Sequence, residues 1–146
     1  MNCFRILLAI SAFFATASSS DISQRNVDFL KTQFGFLEKF IQYKDRDSIN
    51  KLITKYFLFQ TTCDGNEMGR EHFIDAVFNM SSNASFHVEV LDAKYGNEQH
   101  KCIDNLNLKL KIHGFGEPVV VEGWWGIYDL ETVATWVSGR PEGCRK

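Results

Sequence analysis

An α+β fold is predicted for this 146-residue sequence by the order of two hydrophobic periodicities. In the first half of the chain, apolar residues recur every three or four positions, which is the period of an amphipathic helix. After residue 83 they alternate with polar residues, which is the period of a half-buried strand. We therefore expect three amino-terminal helices packed on one face of an antiparallel sheet of about four long strands.

Residues 1–20 have the composition of a cleavable signal peptide. A short basic start with Arg5 is followed by an apolar run over residues 6–15 and then by small residues. The apolar run is shorter than the ~20 residues that span a bilayer. We expect cleavage after one of residues 17–20, secretion to the extracellular space, no membrane attachment afterwards and one domain over residues 21–146.

Charge and residue spacing argue against several partners. The loss of Arg5 leaves 15 basic against 18 acidic residues, a formal charge of −3. A nucleic-acid partner would require a basic patch, so we expect none. No CxxC spacing occurs and the four His residues are scattered, so we expect neither a metal nor another cofactor.

Three helices are predicted in order. The first starts near Val27 and has two apolar stripes, which consist of Val27, Leu30, Phe34, Leu37 and Ile41, and of Phe29, Phe36, Phe40 and Tyr43. Asp45 or Asp47 caps the second helix, whose apolar positions are Ile49, Leu52, Ile53 and Tyr56. The aromatic residues 56–59 either continue this helix or leave it as an extended segment before a turn at 63–66. The third helix covers about residues 69–80.

Strand patterns follow over residues 86–90, 106–112, 119–127 and 132–138. A two-residue loop at Gly96-Asn97 would place the leucine row of the second strand on the wrong face. A loop of odd length or one bulge restores a single apolar face and pairs Val88 with Leu106. The loop at 113–118 brings Ile112 against Val119 and Leu106 against Trp125.

The order of the elements, together with the aromatic and Cys spacing, resembles the nuclear transport factor 2-like superfamily, also called SnoaL-like. The resemblance is carried by the aromatic segment that ends at Cys63, by Gly65, by Trp136 in a late strand and by Cys144. With the signal peptide, these features are similar to a secreted subset common in nematodes. The resemblance implies a cone fold, in which a curved sheet wraps the first helix and leaves a pocket at its mouth.

The superfamily includes isomerases, cyclases, dehydratases and non-catalytic transport and dimerisation domains, so the fold fixes no chemistry. We favour a secreted non-catalytic domain that binds a small apolar ligand or a protein partner. One alternative is a pocket enzyme of the isomerase, cyclase or dehydratase type with Asp104 as acid or base. Another is an interaction module that forms a homodimer through an outer sheet face with Trp124. A filled interior would favour the interaction module, and an apolar cavity would favour a ligand carrier.

Asp104 is the candidate catalytic residue because its strand parity matches that of Leu106. Burial there would raise the pKa of its carboxyl group. A strand that begins at Asn105 would leave Asp104 in water, which is the interpretation we favour. The candidates for lining a pocket are Tyr43, Tyr56, Leu106 and Trp125, although aromatic residues more often form the core. The consecutive Trp124 and Trp125 must point to opposite faces, so one of them is exposed or lies at an interface.

Three cysteines remain after cleavage, in an oxidising compartment. Cys63 lies in a predicted turn and Cys144 in a polar tail that would otherwise fray, whereas Cys102 has the parity of the core residues. We predict a Cys63–Cys144 disulfide and a free thiol at Cys102. Asn79 and Asn83 each begin an N-glycosylation sequon where the third helix ends and the first long strand begins.

Overall fold

The computed structural model describes residues 19–80, 85–96, 105–126 and 135–144. In chain order it contains α1 (Ser19–Gln42), α2 (Arg46–Leu52), β1 (Ile53–Phe59), β2 (Met68–Gly69), α3 (Arg70–Phe78), β3 (His87–Tyr95), β4 (Asn105–His113), β5 (Val119–Gly126) and β6 (Thr135–Pro141). Within these residues the strands form one six-stranded sheet in the order β2-β1-β6-β5-β4-β3. The predicted α+β content is confirmed.

The predicted arrangement of three consecutive helices on a four-stranded antiparallel sheet is wrong. β1 separates α2 from α3 and lies parallel to β6, which makes the sheet mixed. Ile53 and Tyr56, which the helical period assigned to α2, belong to β1. The β-branched and aromatic residues of this segment fit a pleated surface, and the partner strand β6 decides between the two conformations. That partner lies about 80 residues away in sequence, so the local pattern does not reveal it.

Local hydrogen bonds set the junction between α1 and α2. Lys44 adopts a left-handed conformation with φ of 54° after the end of α1. Its N–H donates to the carbonyl of Ile41 at 3.0 Å, and the Asp45 N–H donates to that of Phe40 at 2.8 Å. These two bonds satisfy carbonyls that the helix end would otherwise leave unpaired. Asp45 then caps α2, because its carboxylate accepts the backbone N–H of Ser48 at 3.1 Å.

The register of the central strands is partly as predicted. Ile112 pairs with Val119 and Leu106 with Trp125, which confirms the predicted register between β4 and β5. The predicted pairing of Val88 with Leu106 is wrong, because Val88 lies opposite Ile112. At the other end of this pair of strands, Tyr95 lies opposite Leu106. A bulge between Val90 and Asp92 restores the common apolar face, as the parity argument required.

The helices cover one face of the sheet, which we call the inner face. Buried residues of α1, α2 and α3 join those of the strands in a single core. The centre of this core is an aromatic cluster of Phe34, Phe57, Phe59, Phe73, Phe86, Phe115, Trp125 and Trp136. Most of its ring pairs meet edge to face; the centroids of Phe57 and Trp136, for example, lie 4.8 Å apart. No helix in the described part of the chain is long and apolar enough to cross a membrane.

Candidate functional site

The inner face is filled by side chains where the structure describes it. Phe34 packs against both Trp125 and Trp136, with ring centroids 5.7 and 5.2 Å apart. The aromatic cluster therefore occupies the space between α1 and the strands β5 and β6. Two predicted pocket residues, Leu106 and Trp125, lie in this core with at most 1% of their surface exposed.

Three buried side-chain atoms lack a hydrogen-bond partner among the described residues, namely the amide oxygen of Asn50 and two nitrogen donors. The donors are the indole N–H of Trp125 and the side-chain amide nitrogen of Asn26 on α1. Both donor residues are more than nine-tenths buried. A buried donor without an acceptor costs about 1–3 kcal/mol, so an acceptor placed beside either group would be stabilising.

The opposite face of the sheet, the outer face, carries an open groove of about 470 Å³ across β1, β6 and β5. We call it the outer groove. Its apolar lining consists of Tyr56 and Leu58 from β1, Trp124 from β5 and Val137 from β6. Tyr56 and Leu58 are 57% and 45% exposed. Along β1 they alternate with the buried Phe57 and Phe59, because successive strand residues point to opposite faces.

Charged pairs lie in the outer groove and beside it. The Arg140 guanidinium donates to the carboxylate of Glu67 at 2.8 Å, and the Lys109 ammonium donates to the carboxylate of Glu142. The hydrogen bond to Glu142 raises the pKa of Lys109 above its ordinary value, so this lysine keeps its charge at neutral pH. The rim is thus polar and carries both signs of charge around an apolar centre, which is the usual composition of a protein interface.

A second groove, the α1–α3 groove, lies between the carboxyl-terminal half of α1, the end of α3 and the start of β3. It is larger, about 890 Å³, and its apolar lining includes Phe36, Ile41, Phe78 and Met80. Phe36 is 46% exposed. At one side of the groove Glu38 accepts the backbone N–H of Val88 at 2.8 Å and lies 2.9 Å from Nδ1 of His87.

The four predicted pocket residues do not line a common cavity. Tyr43 is 71% exposed after the end of α1 and Tyr56 is on the outer face, whereas Leu106 and Trp125 are in the core. Trp124 and Trp125 do face opposite sides, as strand parity required, and Trp124 lines the outer groove. Asp104, Cys102 and Asn83 lie outside the described residues. Among the described residues, no three His, Cys, Asp or Glu side chains could hold a metal ion together.

Three residues of the outer groove are not among the predicted site residues, namely Leu58, Val137 and Arg140. A signal for Leu58 is present, because residues 56–59 alternate between the two faces once they are taken as a strand. Arg140 lies beyond the predicted fourth strand, and Val137 lies within it but has no predicted parallel neighbour.

A disulfide joins Cys63 and Cys144, with 5.3 Å between their Cα atoms, in agreement with the predicted pairing. It links the turn after β1 to the tail after β6. These strands are neighbours in the sheet, so the bridge closes one end of the outer groove, where Cys144 belongs to the lining.

Three helices over one face of a bent mixed sheet define a cone-type α+β domain. A family model described as an NTF2-like domain matches residues 19–146, and the chain belongs to this family. The chain is also similar to an NTF2-like protein from Cytophaga hutchinsonii with a solved crystal structure, at 18% identity and a TM-score of 0.51. That match covers 80% of this chain and 94% of the other, and it concerns the fold alone. None of the curated proteins matches this chain.

Proposed function

We propose that this NTF2-like domain is a secreted, non-catalytic interaction module that self-associates through the outer groove. The observation that carries the proposal is the contrast between the packed aromatic core of the inner face and the open groove on the outer face. An interior packed with aromatic side chains favours an interaction module. Exposed Tyr and Leu side chains that share one groove are typical of surfaces that bind proteins.

A second copy of the chain is the partner that fits the rim. Arg140 and its acidic partner Glu67 line the outer groove together with Glu122, and Lys109, which bonds Glu142, is the strand partner of Glu122. Under a two-fold axis the same patch must complement itself, which a surface with both signs of charge can do. The same axis would bring Leu58 and Tyr56 of the two copies together.

Sedimentation of two matched variants tests the proposal. Leu58→Asp places a charge in the outer groove, and Leu91→Asp places the same charge at a Leu of similar exposure, 42%, on β3 outside the groove. We expect the wild-type chain to dimerise, Leu58→Asp to weaken the dimer by about tenfold or more, and Leu91→Asp to leave it unchanged. A monomeric wild type, or equal loss in both variants, would show that the outer groove is not the interface.

A second candidate function is the binding of an apolar ligand that has a hydrogen-bond acceptor. It is favoured by the buried donors of Trp125 and Asn26, which have no acceptor among the described residues. A carbonyl or hydroxyl oxygen on the ligand would satisfy them and recover the cost of their burial. Native mass spectrometry of protein purified from its own secretion should then find a bound small molecule that Asn26→Leu removes. A spectrum of the unliganded chain alone would contradict this function.

A further expectation of this proposal is secretion. Amino-terminal sequencing of secreted protein should start between Ser18 and Ser23, and a cytosolic chain that keeps Met1 would contradict secretion.

The alternative hypothesis is an enzyme of the isomerase, cyclase or dehydratase type, which would need Asp104 as its acid or base. In that case Asp104→Ala should abolish turnover of the substrate without unfolding the domain.

A further inference from the structure

The α1–α3 groove exposes a large apolar ring. Phe36 stacks on Phe40 with ring centroids 6.3 Å apart, and almost half of its surface remains in water. Phe78 and Met80 line the same groove from the end of α3. Apolar side chains that share an exposed groove mark a surface suited to binding.

Asn79 lies directly beside this groove. It is the residue at which α3 ends, and its N–H donates to the carbonyl of Asp75 at 3.1 Å. Its neighbours Phe78 and Met80 both line the groove, whereas Asn79 itself is exposed. Asn79, Met80 and Ser81 form a glycosylation sequon. An attachment point for a sugar chain is therefore placed on the surface at the edge of the groove.

We propose that Asn79 carries an N-linked glycan whose first sugars cover the α1–α3 groove. In the transfer, Nδ2 of Asn79 forms a bond to C1 of the first N-acetylglucosamine. The bond from C1 to the diphosphate oxygen of a lipid-linked oligosaccharide breaks, and the lipid diphosphate leaves with the proton that Asn79 loses. The glycan rests on the secretory route of the proposed function, because this donor is available only there.

The groove has the surface chemistry that a sugar requires. A pyranose ring has C–H groups on its faces and hydroxyl groups at its edge. The C–H groups are weakly positive and suit the negative face of the Phe36 ring. The lining of the groove also includes Thr32, Glu38, Lys39, Lys44 and His87, which offer hydroxyl, carboxylate, ammonium and imidazole partners for the sugar hydroxyls.

Occupancy is tested by intact-mass measurement of protein secreted from a eukaryotic host. Ser81→Ala removes the first sequon and keeps Asn79, and Asn83→Gln removes the second sequon as a matched control. We expect Ser81→Ala to lose the mass of one glycan and Asn83→Gln to retain the glycan on Asn79. A secreted wild-type protein with an unmodified Asn79 peptide overturns the proposal. It leaves self-association through the outer groove intact, since sedimentation measures that separately.

Coverage of the groove is tested with 8-anilinonaphthalene-1-sulfonate, a dye whose fluorescence rises on apolar surfaces. We expect Ser81→Ala to bind severalfold more dye than the glycosylated protein, and Phe36→Ser to abolish this gain. In the glycosylated protein, Phe36→Ser should change nothing. Enzymatic removal of the glycan from the wild-type chain repeats the comparison without a substitution. An equal effect of Phe36→Ser with and without the glycan means that the sugars extend into water and do not cover the groove.

Discussion

The two faces of the sheet use similar side chains for different purposes. On β1, Phe57 packs in the aromatic cluster with 1% of its surface exposed, whereas the preceding Tyr56 lies on the outer face and is 57% exposed. On β5, Trp125 is buried and the adjacent Trp124 lines the outer groove. The inner-face rings pack in the core, whereas Tyr56 and Trp124 line the outer groove. The presence of an aromatic side chain in a strand therefore does not by itself indicate whether that residue lies in the core or in the outer groove.

The largest effect should come from truncation of the inner face. Phe57→Ala removes a ring that contacts Phe59, Phe73 and Trp136, and we expect a loss of about 3–5 kcal/mol in the free energy of unfolding. Tyr56→Ala, one residue away on the outer face, should cost less than about 1 kcal/mol. Urea unfolding measures both values. Equal losses would show that the two faces contribute alike to stability.

The next effect concerns the Cys63–Cys144 disulfide, which links the turn after β1 to the tail after β6. The double variant Cys63→Ser, Cys144→Ser opens a loop with a sequence separation of 81 residues. In the chain-entropy model this costs on the order of 4 kcal/mol. Cys102→Ser is the control and should leave the bridge in place. Non-reducing peptide mapping with Cys102 in the main linked pair would contradict the pairing.

Crowding between β5 and β6 gives an intermediate effect. A Cβ atom on Gly123 would lie 1.8 Å from the carbonyl oxygen of Ser138, which is backbone and cannot rotate away. Gly123→Ala should therefore separate the strands below the outer groove and destabilise the domain by about 1–3 kcal/mol. Gly35→Ala on α1 is the matched control. No atom lies within 4 Å of its Cβ position, so the gain in helix propensity should stabilise the domain by about 0.5–1 kcal/mol.

The smallest effect is a pH dependence at the cap of α2, away from both faces. The Ser48 hydroxyl and then the Ser48 backbone N–H donate to Asp45, and these hydrogen bonds lower the pKa of its carboxyl group. Because the folded pKa lies below the unfolded value of about 3.9, this stabilisation is present above pH 4 and is lost as the pH falls through the folded pKa. Asp45→Asn keeps a capping oxygen without the charge. Its melting temperature should lie slightly below that of the wild type at pH 7 and should match it in acid.

Much of the fold could be predicted because it depends on local patterns. The recurrence of apolar residues every three or four positions located α1 and α3. Strand parity placed Leu106 opposite Trp125 and put Trp124 and Trp125 on opposite faces. The need for one apolar face predicted either a loop of odd length or one bulge, and the structure has the bulge, in β3. The pairing of Val88 could not be predicted, because it depends on the length of the connection after Gly96, and many lengths satisfy the same parity.

The candidate site was harder to predict than the core. The helical period assigns Tyr56 to α2 as a candidate for lining a pocket, whereas in the structure it belongs to β1 and lines the outer groove. Leu58 was left out because residues 56–59 had no assigned strand partner. The residues that make the outer groove come from β1, β5 and β6, which are brought together only when the sheet forms.

The sequence by itself determined the fold class, the faces of β4 and β5 and the two loop-type cysteines that pair. These features depend on the spacing of side chains along the chain, which can be read directly from the sequence. Only the tertiary structure decided that residues 53–59 form a strand parallel to β6 and that an apolar groove opens on the outer face. The reason is that the hydrogen bonds of β1 go to residues about 80 positions away, and contacts that distant depend on how the whole chain packs.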